Sequence, residues 1–394
     1  MKDLMEMGRE FFPEINSIRE YIHENPELSN KEFNTTKFIK EKLIEYGIEI
    51  EEIGLKTGVS GILRGKNSGK TVAIREDIDA LPMEEETNLS FSSKVKGVCH
   101  SCGHDLHIAS LLLCAKILAN MKDEISGNVR FIFQPAEEIG EGALEMINCG
   151  LMEIEPKADC IIGAHTSPDI PVGMIGIKDG AFNASCDTFK IKIIGVGGHG
   201  AHPYRCVDPI AITSFLITQL QTIVSRETKA VYPAVITIGM IHGGTAPNII
   251  PSSVEIQGNV RTFNEEERDK ILNSIKRIAT GVAESMRGKA EVEIFRGIPV
   301  LSNDKKLCNL FRKSVEKVLG EDKIFDIELP SPGSDDFAHF LRFCDGVYFA
   351  MGTVNDDPNS KCGLHNPKNI FDEKSSLYGG VVMAQYILDY LKNK

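Results

Sequence analysis

Residues 99–138 read CHSCGHDLHIASLLLCAKILANMKDEISGNVRFIFQPAEE, and this stretch carries both a fold pattern and a set of reactive side chains. Its apolar periodicity predicts a helix over 106–121 and a strand over 127–134. Imidazole, thiol and carboxylate groups crowd the segment before the helix, and Glu137 and Glu138 follow soon after the strand. Such side chains therefore lie where a helix begins and a strand ends, which is where open α/β sheets place their sites.

The rest of the first half of the chain continues this alternation of helices and strands. The patterns predict helices over 31–46 and 142–148 and strands over 59–63, 70–74 and 158–164. Beyond about residue 182 the pattern changes to strands over 189–194, 234–241, 254–263 and 290–295, with helices over 209–226 and 264–286. This second series has the order βαββαβ, which is typical of a small open sheet with two helices on one face.

We therefore predict an α/β fold with a mixed or mainly parallel sheet and an inserted α+β domain. The catalytic domain is expected to be discontinuous, with residues 1–184 and 297–394, and the inserted domain to span residues 185–296. A small open sheet leaves an edge strand exposed, and two copies can pair along such an edge. The inserted domain is thus the expected dimerisation domain.

Composition limits the classes of partner. The chain of 394 residues has 44 basic and 56 acidic residues and a net charge of −12, which argues against nucleic acid or an anionic membrane surface. A small-molecule substrate is expected instead. No apolar run approaches the roughly 18 residues that a membrane helix needs, and eight of the ten cysteines are scattered singly. We predict a cytoplasmic protein with reduced thiols.

Cys102 and His104 flank Gly103 at the predicted start of a helix, where glycine permits a tight turn. The helix N-terminus is expected to lower the pKa of the Cys102 thiol. A lone Cys or His is usually an ordinary buried or surface residue, but thiol, imidazole and carboxylate together favour a divalent ion such as zinc, manganese or cobalt. Asp105 either caps the helix or, like His107, supports the ligands from behind.

Glu137 and Glu138 are adjacent at a strand end, so their side chains point in different directions. One can bind a metal ion while the other acts as general base. A solvated acidic loop is the alternative interpretation, but the apolar strand before the pair favours a site. Weaker candidates are His165 at the end of a predicted buried strand, His365 in a Gly-Leu-His-Asn-Pro segment, and Asp79, which either orients a ligand or caps the next segment.

Six segments together carry a family resemblance: 77–82 (DIDALP), 99–107 (CHSCGHDLH), 133–138 (FQPAEE), 197–203 (GGHGAHP), 248–251 (NIIP) and 364–367 (LHNP). In these segments the chain resembles the dinuclear-metal amidohydrolases of the hippurate hydrolase and auxin-conjugate hydrolase type. Aminoacylase, carboxypeptidase G and N-acetyldiaminopimelate deacetylase are relatives of that group. The resemblance covers nearly the whole chain, in order.

The resemblance implies a mixed-sheet, metallopeptidase-like catalytic domain with an inserted lid and dimerisation domain. It also implies two divalent ions, Zn²⁺ or Mn²⁺ with Co²⁺ or Ni²⁺ also compatible, held by Cys102, His104, Glu138, His165 and His365. Glu137 is then the general base, Asp79 supports the ligands, and His199 contacts the oxyanion. Asn248 and Arg261 are expected to hold the substrate's carboxylate, although a structural salt bridge is an alternative role for Arg261.

The predicted reaction is hydrolysis of the amide bond of an N-acyl amino acid by a metal-activated water. A dipeptidase or aminopeptidase of the same fold is one alternative, but it needs a group for the free α-amine, and no acidic residue can be assigned to that task. A metal-binding module without catalysis is the other alternative, and the intact Glu137 speaks against it. The acyl group, the amino acid and the native metal stay open at this point.

Overall fold

The computed structural model describes residues 3–392. Its eight α-helices are α1 Leu4–Glu24, α2 Phe33–Glu45, α3 His104–Asn120, α4 Gly142–Asn148, α5 Pro209–Thr222, α6 Glu265–Ser285, α7 Lys305–Val318 and α8 Lys374–Lys392. Its sixteen strands are β1 Glu49–Glu51, β2 Val59–Arg64, β3 Asn67–Asp77, β4 Ser126–Gln134, β5 Cys160–Pro171, β6 Ile175–Ile177, β7 Gly180–Asn183, β8 Cys186–Ile194, β9 Gly198–His199, β10 Ala234–Gly243, β11 Ile249–Ile250, β12 Ser253–Thr262, β13 Lys289–Ile298, β14 Leu301–Asn303, β15 Ile324–Asp326 and β16 Gly346–Val354.

The chain forms two compact units. The first unit runs from α1 to Gly180 and also contains Ser302–Leu329 and the segment from Asp336 onward. The second unit contains Ala181–Leu301 and Pro330–Asp335. No helix within residues 3–392 has an apolar run long enough to cross a bilayer.

The first unit is built on an eight-stranded sheet in the order β1-β2-β4-β3-β5-β16-β6-β15. Strand β3 is parallel to both β4 and β5, while β2 runs antiparallel to β4. The predicted α/β fold with a mixed sheet is therefore confirmed. The register pairs Asp77 with Gln134 and Arg75 with Gly163, so β3, β4 and β5 bring their carboxyl ends to one edge.

Helix α3 lies in the interior of the first unit. Its sequence HDLHIASLLLCAKILAN is apolar on nearly every side, and the helix packs against α1, α8 and β3. A helix without a polar face must be buried, because exposing any side would leave apolar surface in water. Burial of α3 holds its first turn, which begins at His104, against the carboxyl edge of the sheet.

The second unit has the predicted βαββαβ order. Its four strands pair in the order β10-β12-β8-β13, all antiparallel, and α5 and α6 pack on the sheet and on each other. Asn264 caps α6 by accepting a hydrogen bond from the Glu267 backbone N–H at 3.0 Å, and three glutamates occupy the first turn, where the helix dipole favours negative charge. The predicted helix over 209–226 is α-helical only as far as Thr222. Ile223–Glu227 continue it as a short π-helix.

Candidate metal centre

The turn before α3 places Cys102 and His104 side by side. Between them, Gly103 is the N-cap residue of α3 and has a φ of 89°, in the left-handed region that favours glycine. A Cβ atom on Gly103 would also lie 2.7 Å from Thr166 Oγ1. Glycine is thus required both by the backbone conformation and by the close approach of β5.

The loop after β4 carries the two glutamates. Ala136 has a φ of 53°, an uncommon conformation for a residue with a side chain. Its N–H donates to Glu32 Oε1 at 2.9 Å, and the Glu138 N–H donates to Asp79 Oδ2 at 3.1 Å. Two buried carboxylates from other segments therefore hold the main chain on either side of Glu137.

All five predicted ligands come together at the carboxyl edge of the sheet. Cys102 Sγ lies 3.4 Å from His165 Nε2, and Glu138 Oε1 lies 3.8 Å from His104 Nε2. Glu138 Oε2 lies 3.3 Å from His365 Nε2. His365 arrives from the loop before α8, where its N–H donates to the Ser101 carbonyl at 3.2 Å.

The five predicted ligands, together with Glu137, form three groups. Within each group the ligand atoms lie within 4.8 Å of one another. The groups are Cys102 with His104 and His165, Cys102 with Glu138 and His365, and His104 with Glu137 and Glu138. Two buried atoms that face the cluster, His104 Nε2 and Glu138 Oε1, have no hydrogen-bond partner among the described residues. Buried polar atoms rarely stay unpaired, and a divalent cation accepts this combination of sulfur, nitrogen and oxygen. The residues therefore fit a metal centre.

The electrostatics of Cys102 differ from the expectation based on sequence. Burial raises the pKa of the Cys102 thiol well above its usual range. The prediction that the helix N-terminus lowers this pKa is thus wrong. The free-energy cost of burying a thiolate exceeds the stabilisation that the helix dipole gives it. A bound cation would favour the thiolate in this position.

Asp79 contacts the segments of the proposed ligands through both its main chain and its side chain. Its main-chain carbonyl accepts a hydrogen bond from His104 Nδ1 at 2.8 Å, which leaves Nε2 as the lone-pair nitrogen. Its Oδ2 accepts from Ser29 Oγ at 2.7 Å, and from the N–H of Glu138. The carboxylate therefore orients the glutamate loop, while the backbone of Asp79 orients His104.

Asp105 does not cap α3. Its Oδ2 accepts hydrogen bonds from Arg19 Nε at 2.8 Å and from His23 Nδ1 at 3.0 Å, and all three side chains are buried. His107 donates from Nδ1 to Asp77 Oδ1 at 2.6 Å. Both residues thus stabilise the start of α3, and the His107 ring also packs against the rings of His104 and His165, at centroid distances of 5.1 and 4.8 Å.

The remaining predicted residues, His199, Asn248 and Arg261, belong to the second unit. His199 is exposed on β9, and its Nδ1 accepts from the Ala201 N–H at 3.1 Å, which leaves an exposed Nε2–H donor. The exposed Asn248 lies beside it, because its carbonyl accepts from the Gly200 N–H at 2.8 Å. Arg261 is half-buried on β12 and donates to the Pro332 carbonyl at 2.9 Å, so no salt bridge to it is seen among residues 3–392.

Sequence reasoning missed several residues that support the centre, among them Ser29, Glu32 and Thr166. Ser29 and Glu32 stand in a segment with no ligand pattern of its own, and Thr166 follows the weaker candidate His165. Such residues are common at turns and strand ends, and their partners are distant in sequence. Among the sequence motifs, segment 77–82 was the one that indicated support for the centre, because its Asp77 contacts His107.

Comparisons with known proteins agree with this architecture. The chain is 40% identical to N-acetyl-L-cysteine deacetylase of Bacillus subtilis (strain 168) over 372 residues, covering 94% of this chain and 85% of the relative. It is 38% identical to hippurate hydrolase of Campylobacter jejuni over 382 residues, covering 96% and 97%. A crystal structure of a dinuclear-metal-binding peptidase of the M20 family from Bacillus subtilis superposes with a TM-score of 0.86, at 36% identity and coverage of 98% and 100%.

Fold and relatives together define a hydrolase of the metallopeptidase class that acts on amide bonds. The chain belongs to peptidase family M20/M25/M40, whose family model matches residues 73–389.

Proposed function

We propose that the protein hydrolyses the amide bond between an acyl group and an amino acid, with two divalent ions held by Cys102, His104, Glu138, His165 and His365. The observation that carries this proposal is the convergence of these five side chains with Glu137 at one edge of the sheet. The relatives support it, because a deacetylase of an N-acetyl amino acid and a hippurate hydrolase both cleave such bonds.

The protein's own residues divide the reaction between them. Bound ions would supply Lewis-acid activation of the attacking water and of the amide carbonyl. Glu137 accepts the proton of the water and passes it to the leaving nitrogen. The Nε2–H of His199 donates to the carbonyl oxygen as negative charge develops there. Asn248 and Arg261 bind the carboxylate of the amino acid, which a guanidinium holds by two parallel hydrogen bonds.

We further propose Zn²⁺ or Mn²⁺ as the native ion, with Co²⁺ or Ni²⁺ as possible substitutes. Thiolate and imidazole ligands suit zinc, while carboxylates suit manganese. A homodimer formed through the second unit is supported by the exposed apolar side chains of Val235, Met240 and Ile241 on its edge strand β10. A cytoplasmic location is supported by the ten cysteines, all of which are free thiols.

A substrate panel with the apoprotein tests the function. Chelation should abolish activity, and adding back Zn²⁺, Mn²⁺, Co²⁺ or Ni²⁺ singly should restore it with one ion preferred. Steady-state rates on N-acetyl and N-benzoyl amino acids should exceed those on free dipeptides. Full activity in protein shown to be free of transition metals contradicts the metal proposal, and faster cleavage of dipeptides identifies an exopeptidase. Absence of hydrolysis across the panel, despite bound metal, favours the inactive module.

A further inference from the structure

Thr166 directly follows His165 in β5 and is only 3% exposed. Its side-chain hydroxyl, its main-chain N–H and its main-chain carbonyl all make short hydrogen bonds. Each bond goes to a residue that either belongs to the ligand cluster or contacts it from behind. Thr166 is not one of the five proposed ligands, so its role is distinct from theirs.

The hydroxyl of Thr166 holds the loop that carries Cys102. Its Oγ1 donates to the Cys102 carbonyl at 2.7 Å, and carbonyl oxygens only accept, so the direction of this bond is certain. The same Oγ1 would lie 2.7 Å from a Cβ on Gly103. The turn of Cys102 therefore rests directly on the Thr166 side chain, with no space for an added atom.

The main-chain N–H of Thr166 determines the tautomer of His107. It donates to His107 Nε2 at 2.9 Å, so the ring proton lies on Nδ1, which donates to Asp77 Oδ1 at 2.6 Å. β5 is thereby attached to both α3 and β3 immediately behind the cluster.

The main-chain carbonyl of Thr166 orients His165. It accepts from His165 Nδ1 at 2.7 Å, and the Oγ1 atom lies 3.4 Å from the same nitrogen. His165 Nε2 is therefore the lone-pair nitrogen, and it faces Cys102 Sγ at 3.4 Å. One residue thus sets the position of one ligand and the ring orientation of another.

We propose that Thr166 is a positioning residue of the metal centre, whose hydroxyl holds the turn of Cys102 so that Cys102 Sγ stays beside His165 Nε2. This inference rests on the proposed metal centre. Partners behind metal ligands typically change metal affinity by about 10- to 100-fold when they are removed, because a ligand that must be reoriented binds less tightly. Replacing Oγ1 by a methyl group would in addition place carbon against the Cys102 carbonyl.

The test measures Zn²⁺ affinity by competition with a chromophoric chelator, together with the melting temperature of the metal-free protein. Thr166→Val should weaken Zn²⁺ binding by about tenfold or more, while Thr166→Ser, which keeps the hydroxyl, should bind as tightly as wild type. Thr353→Val is the matched control. Thr353 is equally buried in β16, and its Oγ1 donates to the Ser167 carbonyl at 2.9 Å without touching a proposed ligand.

The two valine variants should lower the melting temperature of the apoprotein by similar amounts, but only the change at Thr166 should lower Zn²⁺ affinity. Thr166→Ala is measured in parallel and decides the matter if the valine variant does not fold. If folded Thr166→Val or Thr166→Ala binds Zn²⁺ as tightly as Thr353→Val does, the proposed role of Thr166 is overturned. Cys102→Ala separates the two proposals: if it binds Zn²⁺ as wild type does, the metal centre itself is wrongly assigned.

Discussion

Glu137 and Glu138 are adjacent in sequence, and different tasks are proposed for them. Glu138 has both carboxylate oxygens directed at imidazoles, with Oε1 near His104 and Oε2 near His365. Burial opposes its ionisation, but its interactions with neighbouring histidines, chiefly the hydrogen bond from His365, outweigh burial, so the pKa of Glu138 lies below its usual value. Glu138 is thus present as a carboxylate, the form that binds a cation.

The two glutamates should respond differently to the same substitution. Glu137→Gln should leave metal occupancy nearly intact and lower kcat by about 10² or more, the usual contribution of a general acid–base. Glu138→Gln should lower metal occupancy itself, because an amide is a poorer ligand than a carboxylate. Metal analysis after dialysis and steady-state kinetics distinguish the two effects. Equal metal loss in both variants would mean that the roles are wrongly divided.

At the level of elements, α1 is joined to the start of α3 by a buried cluster of charges. Arg19 and His23 from α1 meet Asp105 of α3, and His23 Nε2 lies 3.3 Å from Glu85 Oε1. Burial lowers the pKa of His23, but Asp105 and Glu85 outweigh it and raise the pKa to about 9. The helix that begins with His104 is therefore anchored by a histidine that is charged at neutral pH.

His23 should make stability depend on pH in the alkaline range. Its folded pKa of about 9 lies above the ordinary value of 6.5, so its contribution is complete below pH 6.5 and is lost as the pH rises through 9. This difference in pKa corresponds to a contribution of about 3 kcal/mol to the free energy of unfolding below pH 6.5.

Urea unfolding of the metal-free protein and of His23→Gln tests this at about pH 6 and about pH 10. The difference in the free energy of unfolding between the two proteins should be larger at the lower pH. A difference that stays constant would show that the buried imidazole is neutral throughout.

At the level of the whole molecule, the proposed chemistry draws on both compact units. The ligands and Glu137 belong to the first unit, whereas His199, Asn248 and Arg261 belong to the second. His199 is exposed, so its Nε2–H is available to an acceptor outside its own unit. If the second unit forms the dimer contact, that acceptor can lie at the metal centre of the partner subunit, and the dimer becomes a catalytic requirement.

Complementation tests this arrangement. His199→Ala and Glu137→Gln should each be nearly inactive alone, and mixing them under conditions of subunit exchange should restore roughly a quarter of wild-type activity. The reason is that half of the dimers are mixed, and one of their two sites combines an intact Glu137 with the partner's intact histidine. Confirmed heterodimers without recovered activity would place His199 in its own subunit's site or outside the reaction.

Local sequence patterns predicted several of the helices and strands. The predicted helix over 142–148 coincides with α4, and the predicted strand over 127–134 differs from β4 by one residue, because apolar periodicity is set by near neighbours. The predicted strand over 158–164 is too short, since β5 continues to Pro171. Its polar and proline-containing end is held as a strand by pairing with β16, which no local pattern encodes.

The proposed ligands were accessible from sequence in two ways: Cys102 and His104 stand together in one short segment, whereas the full set of five followed only from the family resemblance. How those ligands are held was decided by tertiary structure alone. Arg19 meets Asp105 across 86 positions, and Thr166 meets Cys102 across 64. Such partners are selected by strand order and helix packing, which place distant segments in contact. The sequence therefore determined which side chains can bind a metal, and the packing of β5 and α1 around α3 decided the positions in which they are held.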